Sequence, residues 1–230
     1  MKLNFLGKGA AFYPTYGNTG AYILDQKDLY LLDCGESAFH MLYKKGLMDE
    51  AERVYVLITH LHADHIGSLG SLISYFYCVR KKPVFIIHPE KTIVELLKLE
   101  GISDAGYYYM ERLPENAANI QAKPVEVFHV PDMKCYGYLL ADQEGVFYYS
   151  GDAAQIPSDV LEAFKKGQID RLYQDTSTHD EEHPTHCYYK TLEQDIPAGL
   201  RDKVYCMHLD GPFEQLLKDC GFQVVEAEKE

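Results

Sequence analysis

The stretch Val54-Tyr55-Val56-Leu57-Ile58-Thr59 reads as a buried strand, and it runs directly into His60-Leu61-His62-Ala63-Asp64-His65. A short, continuous apolar run rich in β-branched residues fits a strand covered on both faces. Three imidazoles and a carboxylate then arrive within six residues, in the spacing H-x-H-x-D-H. Composition alone would produce that spacing in roughly one chain per thousand of this kind. Neutral imidazole and carboxylate are the preferred ligands of Zn2+ and similar divalent ions. In an extended segment residues 60 and 62 project to one side and can share an ion. Asp64 and His65, where the chain turns into a helix, point to a second place. The run thus offers two ligands to each of two neighbouring sites, and each site needs more from elsewhere in the chain.

The remaining chain alternates strand and helix signals. Strands are predicted at Lys2–Leu6, Ala21–Leu24, Tyr30–Asp33, Val54–Ile58, Val84–His88, Val125–Val130, Tyr136–Ala141, Val146–Ser150, Arg171–Gln174 and Lys203–Met207. Helices are predicted at Glu36–Lys45, Ile66–Tyr77, Lys91–Glu100, Ser158–Lys166, His186–Gln194 and Pro212–Cys220, with Ser158 as an N-cap and Gly101, Gly167 and Gly221 as C-terminal stops. The order predicts an α/β chain of sheets with helices packed outside, in one domain over residues 1–230. At 230 residues the core needs no disulfide, and the six scattered cysteines, with no C-x-x-C pair, read as free thiols in a cytoplasmic protein without an export signal. No apolar run reaches the length of a membrane span. Against 22 Lys and Arg stand 35 Asp and Glu, a formal charge of −13, which argues against a nucleic acid held by electrostatics alone.

The H-x-H-x-D-H run after a buried strand resembles the signature of the metallo-β-lactamase superfamily. Later segments fit its further motifs in order: His129 ahead of Cys135-Tyr136-Gly137-Tyr138, Asp152 in Tyr149-Ser150-Gly151-Asp152, His208 after Lys203–Met207, and Asp33 in Leu31-Leu32-Asp33-Cys34-Gly35. The resemblance covers about residues 1 to 210. It implies an αββα sandwich of two mixed β-sheets with helices on the outer faces. It also implies two divalent metal ions, with Zn2+ the first expectation and Mn2+ or Fe2+ accepted by the same donors. One ion would take His60, His62 and His129, the other Asp64, His65 and His208, and Asp152 would bridge them. Asp33 would accept an imidazole N–H and fix its tautomer.

The S-G-D turn and the spacing from His129 to Tyr136–Tyr138 resemble the tRNase Z-like phosphodiesterases of that superfamily. In that branch a bridging hydroxide attacks the phosphorus and a late histidine protonates the leaving oxygen. His186, in the polar loop Asp175–His186, best matches that acid, with His183 as the alternative, and Asp64 is expected to hold the proton of the attacking water. The tRNA-gripping arm of tRNase Z would lie between His129 and Asp152, where only a hairpin fits. Folded tRNA is therefore not expected; a small phosphodiester such as a cyclic nucleotide is, with no membrane involved. Tyr107-Tyr108-Tyr109 and Tyr188-Tyr189 could stack a base or simply pack. Three alternatives stay open: a thioester or lactone hydrolase on the same scaffold, a non-catalytic metal-binding sensor, and a diiron redox protein, the last normally needing a flavin partner domain; the aromatic surface also allows a homodimer.

Overall fold

The protein is described here by a computed structural model covering residues 3–114 and 120–227. Six strands, β1 (Asn4–Gly7), β2 (Gly20–Asp25), β3 (Asp28–Leu32), β4 (Arg53–Leu57), β5 (Val84–Ile87) and β6 (Tyr107–Met110), form one sheet in chain order. Six more, β7 (Gln121–Val127), β8 (Cys135–Asp142), β9 (Gly145–Tyr149), β10 (Arg171–Asp175), β11 (Val204–Met207) and β12 (Gln223–Val224), form the other. Each sheet is mixed in the same way. Its first three strands run antiparallel, and from the third onward neighbours are parallel.

The apolar strands serve two cores at once because successive side chains face opposite ways. Leu29, Leu31, Val54, Val56, Val84 and Ile86 pack outward beneath the helices α1 (Ala38–Lys44), α2 (Leu47–Glu50), α4 (Leu69–Tyr75) and α5 (Thr92–Leu99). Tyr30, Leu32, Tyr55, Leu57 and Ile87 face inward and meet Tyr138, Leu140, Tyr149, Tyr173 and Met207 of the second sheet. On the far side Tyr148, Leu172, Val204 and Cys206 pack against α6 (Ser158–Lys165), α7 (Tyr189–Asp195) and α8 (Glu214–Asp219). This is the expected αββα sandwich. Burial of such aliphatic side chains contributes roughly 1.5–3 kcal/mol each, and all six cysteines are free.

Several boundaries differ from the sequence expectation. β7 begins at Gln121 instead of Val125; Pro124 is tolerated because β7 pairs only with β8 and is an edge strand. Tyr107–Tyr109 lie in a strand, β6, with Tyr107 buried and the Tyr109 hydroxyl donating to the His88 carbonyl at 2.9 Å. β12 was too short to read from periodicity. The helix expected at Ile66–Tyr77 divides into α3 (Ala63–Ile66) and α4, with a π-helical turn at Phe76–Arg80. Ser158 is not the N-cap; Pro157 holds that position and Ser158 is the first helical residue. Gly101, Gly167 and Gly221 end α5, α6 and α8 with φ of 75°, 73° and 93°, as expected. Among the described residues no helix is long and apolar enough to cross a membrane.

Candidate metal centre

The parallel strands of both sheets deliver polar residues to one edge of the sandwich. Past β4 the chain stays extended through Thr59, His60 and His62, and then turns into α3, which carries Asp64 and His65. From the other sheet come His129 after β7, Asp152 after β9, Asp175 at the end of β10 and His208 after β11. The turn into Asp152 depends on Gly151. Its φ is +58°, and a Cβ there would lie 2.8 Å from the Thr59 Cβ and 2.9 Å from the Tyr136 carbonyl oxygen.

These residues gather into two adjoining clusters. His60, His62, His129 and Asp152 present donor atoms within 4.8 Å of one another, and Asp64, His65, Asp152 and His208 do the same. Asp152 belongs to both, one oxygen to each. Its Oδ2 is 3.7 Å from the Nε2 atoms of His60 and His129, and its Oδ1 is 3.2 Å from His65 Nε2 and 3.4 Å from His208 Nε2. Asp64 Oδ2 closes the second cluster, 3.3 Å from His65 Nε2 and 3.2 Å from His208 Nε2.

Their far sides are fixed by neighbours. Asp33, fully buried at φ +65°, accepts from the Thr59 backbone N–H at 2.7 Å, the Thr59 hydroxyl at 2.9 Å and His65 Nδ1–H at 2.8 Å. That assigns the Nδ1–H tautomer to His65 and aims Nε2 inward. His129 Nδ1–H donates to the Thr185 carbonyl at 2.7 Å. The Leu61 N–H, between two of the histidines, donates to Met133 Sδ at 3.3 Å and ties the His60–His65 segment to the loop that carries His129.

The electrostatics leave room for cations. His60 Nε2 faces His62 Nδ1 at 3.0 Å, and His129 Nε2 faces the same atom at 3.2 Å, so three nitrogens converge on one another. Burial, with the neighbouring His65 ring, pushes the His60 imidazole well below its ordinary pKa, and burial with His129 lowers His62. Both are neutral donors. In the second cluster burial lowers His208, but Asp152, Asp175 and Asp64 outweigh it and raise its pKa to about 10. His65 is raised in the same way by Asp152 and Asp33. Protons there hold the place that a dication fits, and a cation entering would displace them. His65 Nε2, Asp152 Oδ1, Asp175 Oδ1 and His208 Nδ1 are all buried without a hydrogen-bond partner, a donor set whose chemistry fits a divalent cation.

His186 lies at the open side. Its ring stacks on His208 with centroids 5.0 Å apart and sits 4.9 Å from His129. Its Nδ1 bonds Asp175 Oδ2 at 2.8 Å and is 4.0 Å from Asp152 Oδ2. Burial lowers its pKa, and the Asp175 carboxylate more than reverses this, so it is raised. His186 is not the first residue of a helix, as expected from sequence; α7 starts at Tyr189. The sequence reading placed Asp175 at the head of the polar loop and gave it no role because it belongs to no recognised motif; it closes β10, receives the Ala153 N–H at 3.0 Å and lies 3.4 Å from His208 Nδ1. His183 is exposed and takes no part in either cluster. His88 is buried and satisfied, its Nδ1 bonded to the Ile58 carbonyl at 3.0 Å.

Comparison with known proteins agrees with this geometry. A family model described as Anti-Pycsar protein Apyc1 matches residues 1–229. An Anti-Pycsar protein Apyc1 of Paenibacillus harenae is 25% identical over 246 residues, covering 100% of this chain and 98% of its own. A Ribonuclease Z of Methanococcus maripaludis is 28% identical over 169 residues, covering 72% of this chain and 53% of its own. Among solved structures, the metallo-β-lactamase fold protein YhfI of Bacillus subtilis superposes with a TM-score of 0.74 at 17% identity, covering 96% of this chain and 94% of that one. The two mixed sheets and their order are those of the metallo-β-lactamase fold.

Proposed function

Since the chain belongs to the Apyc1 family of anti-Pycsar proteins, we propose that this metal-dependent hydrolase is a dinuclear phosphodiesterase for a small cyclic phosphodiester, foremost a 3′,5′-cyclic nucleotide. The observation that carries the proposal is Asp152, one oxygen turned to each of two ligand clusters, with the His186 imidazole 4.0 Å away. In this reading His60, His62 and His129 would hold one divalent cation and Asp64, His65 and His208 a second, with Asp152 available to both. Bound there, such cations activate water and neutralise charge on the phosphoryl oxygens. Asp64 takes the proton of the attacking water. Asp175 fixes His186 Nδ1, which leaves Nε2–H as the end that protonates the departing sugar oxygen. Zn2+ suits the mixed N and O donors, and Mn2+ or Fe2+ would be accepted by the same set.

Size and charge favour a small substrate. The β8–β9 hairpin turns within Asp142–Gly145, so the second sheet carries no arm there to grip a folded RNA. The formal charge of −13 repels a polyanion far more than a single phosphodiester. We further propose that residues 1–230 work as one hydrolase unit, because ligands from both sheets are needed for either cluster.

Metal-loaded protein offered 3′,5′-cyclic nucleotides, bis(4-nitrophenyl) phosphate, acyl thioesters and precursor tRNA separates the readings. Conversion of the cyclic nucleotide to a nucleoside monophosphate is expected. Turnover of thioesters alone overturns the phosphodiesterase, and full metal loading without turnover of any substrate favours a sensor. Chelation carries its own prediction. Each cation held at about a thousandfold over its Kd stabilises by about 4 kcal/mol. A chain of 230 residues shifts its Tm by roughly 2–4 °C per kcal/mol, so stripping the ions should lower Tm by at least about 10 °C in calorimetry, and Zn2+ should restore it.

A further inference from the structure

The connection between β1 and β2, residues 8–19, is braced along its length. Lys8 N–H donates to the Tyr16 carbonyl at 3.1 Å, Gly9 N–H to Gly17 at 2.8 Å and Thr19 N–H to Gly9 at 3.0 Å. Within it Ala10–Tyr13 forms a tight turn closed by Tyr13 N–H on the Ala10 carbonyl at 3.0 Å. The same connection is bolted to the turn that carries His208. Ala10 N–H donates to the Leu209 carbonyl at 3.0 Å, Leu209 N–H to the Lys8 carbonyl at 2.8 Å, and His208 N–H to the Thr19 hydroxyl at 3.1 Å. Side chains hold it from below. Tyr13 and Tyr16 meet edge to face at 4.7 Å, the Lys8 ammonium sits 4.5 Å over the Tyr16 ring, and Lys8 pairs with Glu214 at 2.8 Å.

One side chain of this segment is left out of the packing. Phe12, third residue of the turn, is 99% exposed. A lone exposed phenylalanine is ordinary on a protein surface. This one differs in position. Its turn begins at the residue bonded to Leu209, next to the metal-ligand candidate His208, and backbone hydrogen bonds anchor it. A ring presented on a rigid support loses little freedom when a planar group settles on it.

We infer that Phe12 is the specificity-determining platform on which the nucleobase of the substrate stacks. The inference rests on the cyclic-nucleotide reading above. A phosphodiester held at this centre carries its base one sugar away, and the turn that bears Phe12 is hydrogen-bonded to Leu209, the residue that follows His208. Stacking is tolerant of base identity because every base has a π-face, so the platform serves purines and pyrimidines alike.

The test compares a 3′,5′-cyclic nucleotide with the cyclic phosphate of 1-O-methylribose, which lacks a base. In wild-type protein the base should lower KM by about tenfold, the order expected for one stacked base. Phe12→Ala should collapse that KM ratio toward one while the kcat for the nucleotide changes by less than about twofold, and Phe12→Trp should restore the ratio. Equal losses on both substrates would make the ring a brace of the loop and overturn the inference. So would an unchanged ratio, or a shift in oligomeric state by analytical ultracentrifugation that accounts for the KM change, which would assign Phe12 to contact with a second copy. A wild type that hydrolyses the baseless phosphate without preferring the nucleotide also overturns the platform but spares the phosphodiesterase. Failure of the wild type on both overturns the function itself, and the platform with it.

Discussion

Asp152→Asn should abolish most turnover, with kcat/KM lower by at least about a thousandfold, or about 4 kcal/mol of transition-state stabilisation. The same substitution should reduce the metal retained after gel filtration from two equivalents to one or fewer, read by elemental analysis. The expectation comes from the division of labour between the two carboxylate oxygens, 3.2 and 3.4 Å from one pair of imidazoles and 3.7 Å from the other. An amide keeps the shape, removes the charge and offers one acceptor where two are used. The fold should survive. In the metal-free chain burial raises the Asp152 pKa, but the facing His208 and His65 hold it below the carboxylate range, so the anion contributes stability and its loss should also lower Tm, without unfolding a core of this size. A variant that keeps two equivalents and near-normal turnover would remove Asp152 from the centre.

Asp175→Asn carries the second large expected effect, about a hundredfold or more in kcat, with substrate KM and metal content changed far less. The carboxylate bonded to His186 at 2.8 Å does two things. It orients the ring, and it raises the imidazole pKa against the opposing pull of burial. A raised pKa keeps His186 protonated to higher pH, so an acid role is filled below that pKa and lost above it. Removing the charge lowers the pKa, and the alkaline limb of the kcat profile should move to lower pH. Substrates with a good leaving group, such as 4-nitrophenolate, should suffer less because they need no proton. If Asp175→Asn slowed both substrate types equally and left the pH profile in place, His186 would not be the acid.

Much of this was legible in the chain. Val54–Ile58 announced a buried strand by apolar content alone, and the dense spacing of His60, His62, Asp64 and His65 is rare enough to signal a centre without further context. His129, Asp152 and His208 were legible only as members of an ordered set, since each ends a strand as many unremarkable residues do. The structure adds what one-dimensional spacing does not carry. Asp175 sits in the run Arg171–Asp175, and nothing local distinguishes it from any strand-end carboxylate; its importance comes from neighbours 11 and 33 residues away in sequence, His186 and His208. β12 was missed because two residues show no period. Of Tyr107–Tyr109, which advertised aromatic surface, Tyr107 is spent on packing and Tyr109 on packing and the His88 carbonyl, and Tyr108 alone stays exposed.

The division of donors between the two sheets has a further consequence. Asp33, His60, His62, Asp64 and His65 belong to the first half of the chain, and His129, Asp152, Asp175, His186 and His208 to the second. In the proposed centre neither half owns a complete coordination shell, so tight cation capture would be a property of the joined halves. A folding intermediate with one layer formed and the other loose would then lack the full donor set, which comes together only when the two leaves shut.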